Sequence, residues 1–136
     1  TEPTSSVFSI GTDTFGNYNG DKYIAYCWHD VSGFSKFGSY NGNGSTSGPS
    51  VNIGFQPDFL MIKRAEVGDS WRIFDSARDT SNTRTKYIDA DAQAAEATSI
   101  YNTMDFLSNG FQPRSIGSTL NNSGGTYLYH AFKTTH

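Results

Sequence analysis

Turn-forming clusters interrupt this chain roughly every 8 to 15 residues, and short runs of aromatic and β-branched side chains stand between them. That rhythm leaves little room for long helices. It predicts an all-β protein, an antiparallel β-sandwich of jelly-roll or concanavalin-like type with at most one short helix. The predicted strands are "SVFSIG" (6–11), "KYIAYCWH" (22–29), "SKFGSY" (35–40), "VNIGF" with "DFLMIKR" (51–64), "WRIFD" (71–75), two within "MDFLSNGFQPRSIGS" (104–118), and "TYLYHAF" (126–132). Pro57 divides the 51–64 stretch, because proline is confined to edges, strand starts or bulges. The segments "NGNGSTSGPS" (41–50), "EVGDS" (66–70) and "NNSGG" (121–125) read as loop and turns, and "SARDTSNTRTK" (76–86) as polar loop. The Ala-rich "DADAQAAEATS" (89–99) is the expected position of the single helix.

The domain organisation follows from an internal repeat. "GDKYIAYCW" (20–28) aligns with "GGTYLYHAF" (124–132) at an offset of 104 residues. Gly20 matches Gly124, Tyr23 matches Tyr127, Ile24 matches Leu128 and Trp28 matches Phe132. Upstream, Phe8 matches Phe111 after a one-residue gap. Residues 1–136 are therefore read as one sandwich domain in which 1–33 resembles the closing half of a preceding unit and 34–136 a full unit. Both repeated strands are expected in one sandwich. The start "TEPTSS" has no initiator Met, so a fragment of something longer is expected.

Composition narrows the function. Of the 136 residues 17% are charged and 15% aromatic, and the net charge is -3. No basic stripe exists to follow a phosphate backbone, so nucleic acid is not an expected partner. Apolar runs such as "FLMI" (59–62) are too short to cross a membrane, and no signal peptide is recognised. The single cysteine cannot form an intramolecular disulfide.

"YIAYCWHDVSG" (23–33) brings together the residue types of a nucleophilic site, Cys27, His29 and Asp30. Strand alternation puts Cys27 and His29 on one face and Asp30 on the other, so Asp30 does not orient His29. In the repeat the reactive positions become Ala131, Lys133 and Thr134, while the large apolar positions persist. A core strand with Cys27 as a small buried hydrophobe is the favoured reading, and no catalytic residue is assigned. Asp89, Asp91 and Glu96 faintly resemble a calcium loop but lack its glycine, and His29, His130 and His136 lack metal-ligand spacing, so neither metal nor cofactor is expected. "GSYNGNGSTSG" (38–48) lacks the Lys-Ser/Thr pair of a phosphate-binding loop. "NGS" (43–45) and "NNS" (121–123) match glycosylation acceptors.

What remains is Asn, Asp, Ser, Thr, Tyr and Trp on loops. Planar amides and carboxylates suit sugar hydroxyls, and aromatic faces suit sugar C–H surfaces. The glycan-binding candidates are Tyr40, Asn41 and Asn43 in "SYNGN", and Asp69 and Trp71 in "VGDSW".

The blocks "YIAYCWHDVSGFSKFGSYNGNG" (23–44), "GFQPDFLMIKR" (54–64), "WRIFDSARD" (71–79), "DFLSNGF" (105–111) and "SGGTYLYHAF" (123–132) together resemble an uncharacterised domain family of bacteriophage tail-fibre and related virion proteins, frequent in phages of aquatic bacteria. Such units are often tandem and often follow concanavalin-like or laminin-G-like modules. The resemblance implies an extracellular virion appendage, non-catalytic, homotrimeric, and attaching to a host cell-surface glycan or outer-membrane receptor. The ending "AFKTTH" departs from the acidic ending of that family. A structural strut is the alternative function. A glycan-cleaving enzyme comes third, for which the sequence offers only the scattered acids Asp58, Asp75 and Asp105.

Overall fold

A computed structural model describes residues 3–134. Thr1, Glu2 and the chain-end Thr135 and His136 lie outside the described residues. Among the described residues nine strands form two antiparallel sheets, as the turn rhythm predicts. The larger sheet contains, in spatial order, β1 (Ser35–Asn41), β9 (Thr126–Phe132), β3 (Phe59–Arg64), β4 (Arg72–Asp75), β5 (Lys86–Asp89) and β6 (Ala97–Thr98). The smaller contains β2 (Val51–Asn52), β8 (Gly110–Pro113) and β7 (Met104–Leu107). The β3–β4 and β7–β8 pairs are the hairpins expected at "EVGDS" and "SNG".

β9 organises the larger sheet. From Tyr127 to Phe132 each of its residues has one partner on β1 and another on β3. Alternation sends Tyr127, Tyr129 and Ala131 inward, where they are buried with Tyr40, Leu60, Ile62 and Phe74. Met104, Phe106 and Phe111 of the smaller sheet complete this core. Burying each large apolar side chain contributes about 1.5–3 kcal/mol. The two sheets meet through aromatic rings: Phe111 packs edge-on against Tyr129 and Tyr40 with centroids 5.2 and 5.7 Å apart. At Gly110 a Cβ would stand 1.9 Å from the Val51 carbonyl oxygen, so β2 lies against β8 only because that position has no side chain.

Polar side chains lock the ends of the sandwich. Asn121 is fully buried at the end of α2 (Ser118–Asn121). Its Nδ2 donates to Asn43 Oδ1, Ser45 O and Ser115 O at 2.9, 2.7 and 2.9 Å, and its Oδ1 accepts from the Asn43 amide at 2.9 Å. The Gly-rich 41–50 loop is therefore pinned to the far end of the chain. The Tyr40 hydroxyl donates to Leu120 O at 2.7 Å, and burial raises its pKa well above the ordinary value. On the opposite edge Asn82 imitates a strand residue beside β7, donating to Phe106 O at 2.8 Å and accepting from Phe106 N at 2.9 Å.

Several expectations are corrected. The 89–99 segment is not a helix. An isolated helix of two or three turns is marginal without an apolar face to bury. Here Ala97–Thr98 instead pairs with Lys86–Tyr87, and Ala90 donates its amide to Trp71 O at 2.8 Å. The two helices among the described residues, α1 (Thr14–Asn17) and α2, are four residues each and lie outside the expected helical segment. Residues 6–11 and 22–29 are not strands and do not join the sandwich. Cys27 is exposed, not buried. The reason for the last two is that a strand requires a hydrogen-bonded neighbour, and among the described residues 22–29 have none.

Asn121→Ala removes every hydrogen bond of this fully buried amide, including those to the Ser45 and Ser115 carbonyls and from the Asn43 amide. A loss of about 3 kcal/mol or more is expected, read as a lower urea midpoint at unchanged m-value.

Candidate ligand-binding face

The same alternation that fills the core builds the opposite face of the larger sheet. β9 turns Leu128, His130 and Phe132 outward. Phe37 of β1 and Met61 of β3 flank His130 in register, and Phe59 of β3 flanks Phe132. Trp71, just before β4, brings its ring to 6.1 Å from His130. Phe37 stands 5.3 Å from His130 and 5.5 Å from Phe132, both edge to face. Phe59 and Phe34 reach Phe132 at 5.8 and 6.4 Å. From the N-terminal segment, Trp28 lies 6.1 Å from His130 and stacks on Tyr26 at 6.2 Å. The result is a half-exposed platform of ring faces and edges centred on His130.

Burial holds the His130 imidazole below its ordinary value near 6.5. Neutral His130 sits among these rings as a polar aromatic with both ring-nitrogen functions, donor and acceptor. Acidic groups border the platform. Asp91 Oδ1 accepts from the Trp71 amide at 3.1 Å. Asp30 pairs with Lys36 and accepts from the Phe37 amide at 2.9 Å. The Lys36 hydrogen bond, then the Phe37 amide, keep its carboxyl below the usual value. Beside that ion pair a cleft of about 290 Å³ is lined by Asp30, Ser32, Ser35, Lys36 and Phe55.

The five glycan candidates do not converge. Tyr40 is a core residue, its ring stacked 5.1 Å from Tyr127, so it presents no face to a ligand. The sequence signal misled because an aromatic beside Asn reads equally as loop or as strand end. Asn41 is exposed at the end of β1, opposite Thr126. Asn43 is exposed, but its side chain is used within the loop, Nδ2 donating to Ser47 O and Oδ1 accepting from Ser45 N, both at 3.0 Å. Asp69 is half-buried, and its Oδ2 has no hydrogen-bond partner among the described residues. Trp71 belongs to the platform. His130, Phe37 and Phe132 were not singled out from the sequence. The signal was available in "TYLYHAF", where alternation puts Leu128, His130 and Phe132 together.

Other chemistries find their residues engaged elsewhere. Asp30 is bonded to Lys36, and among the described residues no hydrogen bond joins the side chains of Cys27, His29 and Asp30. Asp105 binds Arg114 at 2.7 Å, Asp75 binds Arg78, and Asp58 accepts from Ser76 Oγ at 2.9 Å and from Thr134 N and Oγ1, both at 2.8 Å. Among the described residues no three His, Cys, Asp or Glu side chains cluster as metal ligands, and no helix is long and apolar enough to cross a membrane.

These features define an all-β protein of two packed antiparallel sheets. The chain belongs to the family described as a domain of unknown function, DUF7483, whose model matches residues 1–135. No curated protein and no solved structure matches it.

Because the folded-state pKa of His130 is depressed, the stability it contributes is present above pH ~6.5 and is lost as pH falls toward the folded value. Urea midpoints measured from pH 7.5 to 5 should fall, and His130→Phe should flatten that fall. Cys27, being exposed, should react with a thiol reagent in the native 136-residue chain without unfolding, and Cys27→Ala should change stability by less than about 0.5 kcal/mol.

Proposed function

We propose that this domain is a non-catalytic module of a bacteriophage tail fibre or other virion appendage that binds a host surface glycan. The observation that carries the reading is the platform around His130, where Trp71, Trp28 and Phe37 offer ring surfaces bordered by carboxylates. Aromatic faces pack against the C–H surfaces of a sugar, and acids accept from its hydroxyls. The sequence blocks that resemble virion fibre proteins support the location. A single platform of this kind binds weakly, and presentation on a homotrimeric fibre raises avidity without new contacts.

The strut reading is the second. It is favoured by the extent of polar locking: Asn43, one of the glycan candidates, is committed to holding its own loop.

Adsorption separates the two. The purified trimeric fibre should bind susceptible cells and block infection. Trp71→Ala should weaken that binding about tenfold, equivalent to ~1.4 kcal/mol, with the thermal midpoint little changed. Unchanged adsorption would leave the strut. A fall in the size of host polysaccharide on incubation would point to an enzyme instead.

A further inference from the structure

The segment ahead of β1 repeats the segment ending in β9 in three dimensions as well as in sequence. α1 and α2 occupy 14–17 and 118–121, the same positions at an offset of 104. The last residue of each helix reaches back to a carbonyl six residues earlier: Asn17 Nδ2 donates to Gly11 O at 2.8 Å, and Asn121 Nδ2 to Ser115 O at 2.9 Å. The following amide donates to a tyrosine hydroxyl in both copies, Tyr18 N to Tyr23 at 2.9 Å and Asn122 N to Tyr127 at 2.7 Å. Those hydroxyls donate in turn to Thr14 O and Ser118 O. Gly20 and Gly124 both take a left-handed conformation, with φ of 93° and 76°. No gap interrupts this register, which places Val7 rather than Phe8 opposite Phe111.

The two copies differ in their surroundings. β9 is hydrogen-bonded on both sides, and Tyr127 and Ala131 are fully buried. Their counterparts Tyr23 and Cys27 are exposed, and residues 22–29 pair with no strand among the described residues. Between residues 3–9 and 25–29 lies an open cleft of about 1000 Å³, with Val7, Phe8, Ala25 and Cys27 in its lining. At the same offset, β8 and β9 enclose the packed interior where Phe111 meets Tyr129. The cleft is the unfilled counterpart of that interior.

We propose that residues 3–30 are the closing half of a second sandwich, and that 22–29 is its central strand, completed by equivalents of β1 and β3 carried by sequence ahead of residue 1 in the same polypeptide. A second copy of this chain offers no such vacancy, because its β1 and β3 are already bonded to its own β9. The required partner has a readable feature. In β1, Gly38 has no side chain because a Cβ there would stand 2.7 Å from the Tyr129 hydroxyl. Opposite Ala25, the counterpart of Tyr129, the incoming strand has space for a side chain. Cys27, small like Ala131, becomes a buried packing residue in the completed unit.

The test compares the 136-residue chain with the polypeptide bearing its natural upstream sequence. Hydrogen exchange at 22–29 and thiol labelling of Cys27 should both be at least about a hundredfold slower in the longer polypeptide. Asn17→Ala should leave the 136-residue chain unchanged and should destabilise the longer one as Asn121→Ala does. Equal exchange and labelling rates in the two would overturn the proposal, as would an upstream sequence without two such strands. Protection already present in the 136-residue chain, accompanied by dimerisation on sizing, would also overturn it and assign the strand to a second copy.

Discussion

The fold depends on one strand being hydrogen-bonded along both edges. β9 supplies the inner face with Tyr127, Tyr129 and Ala131 and the outer face with Leu128, His130 and Phe132, while β1 and β3 hold it in register. A shift of one residue would exchange those two sets, putting His130 into the core and Tyr127 into solvent. The core and the aromatic platform are thus two consequences of a single register.

Polar groups fix what apolar packing leaves free. Hydrophobic burial does not determine where the Gly-rich 41–50 loop goes, because that loop has little apolar surface. Asn121 determines it by satisfying groups from Asn43, Ser45 and Ser115 at once. At the β3–β4 turn Glu66 has the same role, accepting from the Thr126 amide at 2.7 Å where β9 begins, and that hydrogen bond lowers its pKa. The Tyr40 hydroxyl binds the last third of the chain to β1, and the buried Asn121 amide binds it to the loop that follows.

Much of the sheet was legible in the sequence, and the reason is local. β1, β3, β4 and β9 are runs of β-favouring residues and fall within a residue or two of their expected limits, and β7 and β8 lie within the stretch 104–118 where two strands were expected, β8 ending at Pro113. β5 was missed because "KYID" stands between polar segments, and its pairing comes from β4 and β6 rather than from its own pattern. The 22–29 segment has the strongest strand pattern in the chain and yet is unpaired. Propensity describes what a segment is suited to; pairing depends on which edges are vacant. Of the candidate site, Trp71 was legible from its turn. His130 was legible only as sharing a face with Leu128 and Phe132 in "TYLYHAF"; that this face of β9 stays uncovered shows only in the assembled sheet.

The central position of β9 has a consequence for synthesis. The strand around which the larger sheet is arranged is synthesised after both of its partners. Its partners, Ser35–Asn41 and Phe59–Arg64, emerge earlier and wait with open edges, since Phe59 pairs with Phe132 and Ser35 also pairs with Phe132. The sandwich therefore closes abruptly once β9 has emerged rather than growing strand by strand, and until then the nascent chain is at its most sticky.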